Sequence, residues 1–241
     1  MLIPRIGEKI EIANHIIPHI PTNISTYVNV FGGMSGIFFS LDFSKYKNVN
    51  FIYNDQNILN YILFKKLTDS EFINIVKNTK VNKEIYKKCF KDILIEKDEY
   101  KISLYWLIIL CCSSTYQMDK PSWIGDSEFE LFKLKHTAYL YHLNRIDKIH
   151  NLNYEEIIKI YDTKDTFFYI SPPYWSKKNK YINHSFTKDD KIKLANILNN
   201  IKGKFILSCY NFDDVEKLYN NCTISSIMTS IGSELLIKNY E

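Results

Sequence analysis

The chain has 241 residues, of which 46% are hydrophobic and 15% aromatic, and a formal net charge of +4. This composition suits a folded globular protein with a proper core and excludes a disordered chain. The mild positive charge permits a polyanionic partner without demanding one, since Arg5 and Arg145 are the only arginines and lysine carries the rest.

Five cysteines with no CxxC pair and no zinc-like spacing favour a reducing, intracellular compartment and no metal. The first residues carry no signal-peptide pattern. The most apolar run, 104–112, falls far short of the roughly 20 residues that span a bilayer, so it reads as a core helix and no membrane partner is expected.

In chain order, Ile10, Ile12, Ala13, Ile16 and Ile17 approach helical period and stop before Pro18. They place Gly7 to Lys9 at a helix start, where Lys9 can reach a carboxylate, although a lysine there is more often simply solvated. The stretch 27–39 is a short apolar strand running into Gly32, Gly33 and Gly36 and then further apolar residues. Such spacing predicts a strand, a turn of very close backbone approach, and a helix. It is neither GxGxxG nor a phosphate-binding P-loop, because no GK(S/T) follows. A second apolar strand, 50–55, ends in Asp55, at about the distance where a nucleotide-binding α/β unit places an acid able to accept from both ribose hydroxyls. Seen alone, Asp55 is more often a helix N-cap.

From residue 68 to about 149 the chain turns helical and lysine-rich, with no glycine before Gly125. This reads as an inserted helical subdomain whose acids nearly balance its lysines, so composition announces no basic stripe. His136 and His142 lack an i, i+3 or i, i+4 ligand spacing and read as surface or packing residues. The α/β pattern then resumes with a strand end or turn and a short helix at 152–158, followed by the run Thr166-Phe167-Phe168-Tyr169-Ile170. That run stops abruptly at Ser171-Pro172-Pro173-Tyr174, a buried strand opening into a rigid turn that has left the ladder. Ser171, Pro172 and Tyr174 there offer a hydroxyl, a carbonyl and an aromatic face, the groups needed to grip an aromatic amine. A lysine-rich loop with Lys177, Lys178, Lys180 and Tyr181 follows. Beyond it lie a helix over 186–201 capped by Thr187, a strand at 205–209, a short helix and a terminal strand pair.

The order of these motifs is more informative than any one of them. Gly-x-Lys, Phe-Gly-Gly-x-x-Gly, Tyr-Asn-Asp, an insert and then Pro-Pro-Tyr resembles the Dam-like, α-group adenine-N6 DNA methyltransferases of the D12 class. The likeness covers roughly 3–67 and 143–240 and includes the tail Glu234-Leu235-Leu236-Ile237-Lys238-Asn239-Tyr240. It implies an α/β fold, a Rossmann-like sheet binding S-adenosylmethionine, with 1–67 and 150–241 as the catalytic domain and 68–149 as target-recognition domain. It also implies roles: Lys9 for the methionine carboxylate, Phe31, Gly32, Gly33, Ser35 and Gly36 against the cofactor, Asp55 on the ribose, and Asn153 and Tyr154 near the cofactor adenine. Ser171, Pro172, Pro173 and Tyr174 would hold a flipped adenine, while Lys177, Lys178, Lys180 and Tyr181 meet DNA. The resemblance implies DNA as partner, with the enzyme either solitary or paired with a cognate restriction endonuclease.

Some residues depart from the family pattern. Ser171 stands where the adenine enzymes usually have Asp, and serine there is typical of cytosine-N4 methyltransferases, which leaves the acceptor base open. Asn29 and Asn153 replace acids, and Arg5 and Glu8 replace an aromatic residue and a glycine. Together these changes keep a catalytically degenerate binding module as a further alternative.

Overall fold

In the computed structural model, residues 2–3, 9–114, 121–173, 186–212, 214–229 and 232–241 are described. The apolar runs read from the sequence form the middle of a seven-stranded sheet. Its strands are β1 (Thr26–Asn29), β2 (Asn50–Asn54), β3 (Ile146–His150), β4 (Thr166–Ile170), β5 (Lys204–Tyr210), β6 (Thr223–Thr229) and β7 (Gly232–Lys238). Their spatial order is β3-β2-β1-β4-β5-β7-β6, with β1 to β5 parallel and β7 antiparallel to both of its neighbours. The chain thus winds outward from β1 to β3 and then begins again at β4 on the other side of β1. The gap above β1 and β4 is the switch point, where open α/β sheets bind their ligands at the carboxyl ends of the strands.

β4 lies between β1 and β5 and is buried throughout, which is why Thr166 to Ile170 reads as an unbroken apolar run rather than an alternating one. Phe168 and Ile170 face one core, with Val28, Val30 and Leu207, while Phe167 and Tyr169 face the other, with Tyr27, Ile206 and Leu236. That second core is closed by the N-terminal segment, a 3-10 turn Lys9–Ile12 leading into α1 (Ala13–Ile16), and by α2 (Gly36–Phe39).

The insert follows α3 (Ile58–Lys66) and consists of α4 (Ser70–Asn78), α5 (Lys83–Asp92), α6 (Glu99–Cys112) and α7 (Ser127–Leu143). Asp69, Asn82 and Asp98 cap α4, α5 and α6 by accepting from first-turn backbone N–H groups, each such cap contributing about 1 kcal/mol. The apolar run of α6 is the axis of the insert, with Trp106 to Cys112 all buried. These helices share one continuous core with Tyr53, Leu63, Leu67 and Met34, so the insert is welded to the β2–α3 side of the sheet. β3 returns to the sheet at Ile146, inside the range that the sequence assigns to the insert. His136 is a packing residue, as expected: its ring nitrogen lies 2.6 Å from the Leu67 carbonyl, and burial lowers its pKa. Among the described residues, no helix is long and apolar enough to cross a membrane.

The remaining helices are α8 (Tyr154–Tyr161), α9 (Lys188–Leu198) and α10 (Val215–Leu218). Thr187 caps α9 in a reciprocal box with Asp190, as its sequence suggests.

Candidate active site

Three loops meet at the carboxyl ends of β1, β2 and β3, and asparagine side chains fasten them together. Asn54, at the end of β2, donates to the carbonyls of Val30 (2.9 Å) and Leu152 (3.0 Å) and accepts from the Leu152 N–H (3.0 Å). Asn151 donates to the carbonyls of Asp55 and Gln56. An amide that both donates and accepts can satisfy a neighbouring backbone in this way without adding charge.

The glycine turn is pressed onto Tyr53. The Gly32 N–H donates to the Asn54 carbonyl at 2.7 Å, and the Tyr53 hydroxyl donates to the Gly33 carbonyl at 2.9 Å. A methyl group at position 32 would run into the Tyr53 ring and lie 2.8 Å from the Asn54 carbonyl oxygen. Tyr53 cannot retreat, because its ring stacks on Phe64 at 4.0 Å. Gly32→Ala is therefore expected to destabilise the protein by about 1–3 kcal/mol, the usual range for an overpacked site. Urea denaturation checks this, and a variant as stable as the parent would show that the turn is loose. Gly33 has φ 49° and Ser35 has φ 57°, both left-handed. Ser35 is held there by its own hydroxyl, which donates to the Gly32 carbonyl (3.1 Å) and accepts from Asn29 (3.0 Å). Gly36 then opens α2.

Asp55 closes the turn from the β2 side. Its Oδ2 accepts from the Gly33 N–H at 2.7 Å and from Asn60 Nδ2 at 2.8 Å, and its Oδ1 accepts from the Asn57 N–H at 2.8 Å. A carboxylate has about four acceptor positions. Protein donors already fill most of them, so Asp55 has room for one outside hydroxyl rather than the two given to it by the sequence reading. Asp55 is not the cap of α3 either, since Asn57 takes that place by accepting from the Leu59 N–H.

On the opposite side of the turn, Phe31 stacks on Tyr154 with ring centroids 5.8 Å apart, and Phe186 packs edge-on against both. The Tyr154 pKa is raised by burial and by Asp190, which its hydroxyl contacts at 3.3 Å. Asn153 is the N-cap of α8, its side chain accepting from the Glu156 N–H at 2.9 Å in a reciprocal capping box. Its side-chain oxygen serves the helix in this way.

Side-chain alternation along the strands places Asn29, Ser208 and Glu234 on the same face of the sheet as Tyr27, Ile206 and Leu236, and carried one step past β4 it places Ser171 there too. Ser171 is half-buried and Pro172 buried. Lys9 reaches this row from the N-terminal segment: its Nζ is 2.6 Å from Glu234 Oε1, and Ser208 donates to the same oxygen at 2.7 Å. A methionine carboxylate at Lys9 would share the cation with Glu234. Tyr174, Lys177, Lys178, Lys180 and Tyr181, like Arg5 and Glu8, lie outside the described residues.

Sequence reasoning missed Asn60, Ser208, Glu234 and Phe186 as parts of this region. It also missed a basic row on the insert, where Lys83, Lys87 and Lys91 occupy exposed positions four residues apart along α5. That row is hidden in composition because acids balance the lysines across the insert, two of them, Glu84 and Asp92, on α5 itself.

A sheet of this order, with a glycine turn after β1, an acid after β2 and a proline turn after β4, defines a Rossmann-like methyltransferase. The model of the D12 class N6 adenine-specific DNA methyltransferases matches residues 6–231, and the chain belongs to that family. It is an S-adenosylmethionine-dependent DNA methyltransferase, and the family's acceptor, the N6 amino group of adenine, takes precedence over the cytosine alternative raised by Ser171. No curated protein matches the chain. Among solved structures, a conserved hypothetical protein of Streptococcus pyogenes is similar at 10% identity and TM-score 0.40, covering 95% of this chain and 93% of its own. A candidate methylase of Haemophilus influenzae is similar at 13% identity and TM-score 0.39, covering 98% and 99%.

The residues at the switch point fit S-adenosylmethionine. Asn29 Oδ1 is a buried acceptor with no hydrogen-bond partner among the described residues, beside the glycine turn. Asp55 has an acceptor position to spare, and Phe31, Tyr154 and Phe186 form an aromatic cluster of the kind a purine packs against.

Proposed function

We propose that methyl transfer to adenine takes place above β1 and β4, with Ser171 and Pro172 holding the amine. The observation that carries this reading is the end of the β4 ladder at Ile170, beside the glycine turn of β1, which puts the amine-gripping turn and the cofactor turn on adjacent strands. Phe31, Gly32, Gly33, Ser35, Gly36, Asp55 and Tyr154 would hold S-adenosylmethionine, and Lys9 would face its carboxylate. The bound cofactor supplies an electrophilic methyl carbon.

The protein's own task is alignment and hydrogen-bond acceptance. The adenine amine is a poor nucleophile because its lone pair is delocalised into the ring. The Ser171 hydroxyl oxygen and the Pro172 carbonyl, each accepting one amine hydrogen, localise that pair on nitrogen and aim it. Pro173 keeps the turn rigid, and Tyr174 stacks on the flipped base. No residue of the chain forms a covalent bond to the base.

The insert serves as the target-recognition region. The exposed row Lys83, Lys87 and Lys91 supports contact with a phosphate backbone there, and Lys177, Lys178, Lys180 and Tyr181 would add contacts beside the catalytic turn.

The experiment is transfer of a labelled methyl group from S-adenosylmethionine to mixed-sequence duplex DNA, followed by digestion to nucleosides. The expected product is N6-methyldeoxyadenosine. Label in N4-methyldeoxycytidine would overturn the choice of base. Absence of label from folded protein that binds DNA would overturn the enzyme reading in favour of a binding module.

A further inference from the structure

We infer that Asn60 is a positioning residue for the Asp55 carboxylate, itself anchored from the helical insert by Trp106. The inference rests on the reading above that Asp55 binds the cofactor, here through one ribose hydroxyl. Asn60 lies in the first turn of α3 and is 1% exposed, while Trp106 lies in the middle of α6 and is 2% exposed. Asn60 Nδ2 donates to Asp55 Oδ2 at 2.8 Å, and Trp106 Nε1 donates to Asn60 Oδ1 at 2.8 Å. With the Gly33 N–H on the same Asp55 oxygen, a continuous chain runs from the insert through α3 and the end of β2 to the glycine turn.

The two ends of this chain fix the orientation of the amide between them. An indole N–H can only donate and an ionised carboxylate can only accept. The Asn60 side chain must therefore turn its oxygen to Trp106 and its nitrogen to Asp55, and the reverse orientation would set donor against donor and acceptor against acceptor. Leucine at position 60 would leave a buried indole N–H unpaired and take one of three donors off Asp55, so the carboxylate keeps the Gly33 and Asn57 N–H groups but loses the side-chain contact that fixes its tilt toward a hydroxyl. Aspartate there would face a second carboxylate. Because Trp106 is locked in the core that α6 shares with α3, the insert sets the angle at which Asp55 meets a hydroxyl.

The test is calorimetric titration of the full chain with two probes, S-adenosylhomocysteine and its analogue lacking both ribose hydroxyls. The parent protein is expected to prefer the hydroxylated probe by about tenfold, the worth of a charged hydrogen bond. Asn60→Leu should bring that gap below about threefold while leaving affinity for the dideoxy analogue unchanged, and Trp106→Phe should narrow it partway. A purely structural role for Asn60 would weaken both probes alike and keep the gap, which would overturn the inference while leaving the role of Asp55 intact. A parent protein with no gap, or one that binds neither probe, would overturn the Asp55 reading itself.

A measurement on the unaltered protein guards against a misfolded variant. The chain has three tryptophans, Trp106, Trp123 and Trp175, and the Trp106 indole N–H signal is identified by its loss in Trp106→Phe. That signal should shift when S-adenosylhomocysteine binds and stay in place with the dideoxy analogue. An equal response to both probes would overturn the inference.

Discussion

Lys9→Met is expected to cost about 3–5 kcal/mol of stability, the range for breaking a buried ion pair on one side only. The Lys9 and Glu234 side chains are 8% and 2% exposed, and their charged atoms are 2.6 Å apart. Removing the ammonium leaves a carboxylate in the core without its cation, although the Ser208 hydroxyl still donates to it at 2.7 Å. Neutral donors do not replace the ammonium that balances a full charge out of water. The double variant Lys9→Met, Glu234→Gln removes both charges, keeps a polar partner for Ser208, and should recover most of the loss. Urea denaturation at neutral pH measures all three proteins. A single variant within about 1 kcal/mol of the parent would mean that water reaches Glu234 and that the pair is not a structural clamp. The pair ties the N-terminal segment, 225 residues away in sequence, to the start of β7. The same clamp holds a cation on the sheet face that Ser171 shares, so it links packing of the N-terminal segment to the electrostatics of that face.

The contrast between β3 and β4 shows which parts of the fold are legible in the sequence. β4 is buried on both faces and reads as Thr-Phe-Phe-Tyr-Ile, whereas β3 is an edge strand with the sequence Ile-Asp-Lys-Ile-His and is only partly covered. Charges on an edge strand block unwanted pairing, and they also erase the periodicity that would announce a strand. The β6–β7 pair was legible because its spacing and its apolar β7 run leave little else for that segment to form.

Within the site, residues acting through local chemistry were readable and those acting across the chain were not. The glycine turn declares itself by composition, Asp55 by its place after a strand, and Ser171-Pro172-Pro173 by the end of an apolar run. Asn60 sits among Leu59, Ile62 and Leu63 and reads as a polar residue on an outward face; only the arrival of Trp106, 46 residues later, shows that it is buried between two partners. Glu234 likewise reads as the first polar residue of a strand until Lys9 is found against it. Asn153 carries a second, local signal, because an asparagine before Tyr-Glu-Glu is also a helix cap, and that capping role is the one its side chain plays in the fold.

Ser171→Ala is expected to lower kcat by about 10²–10³-fold with little change in KM for DNA, the effect of removing one hydrogen-bonding group aimed at charge that develops in the transition state. Ser171 is half-buried at the strand end, and a methyl group in its place disturbs no hydrogen bond of the sheet, because the ladder between β4 and β5 has ended one residue earlier. A fall in kcat at constant stability therefore reports chemistry. Ser171→Asp supplies the carboxylate that adenine enzymes usually carry at this position, a stronger acceptor than a neutral hydroxyl. It should restore or exceed the parent rate at neutral pH and lose that advantage as pH falls through the ordinary carboxylate range, since only the ionised acid accepts from both sides. The parent, with a hydroxyl that does not titrate there, should show no such fall. Single-turnover rates on duplex DNA across pH separate the three proteins. If Ser171→Ala transfers methyl groups within about threefold of the parent, the hydroxyl is a bystander, and the Pro172 carbonyl alone must hold the amine.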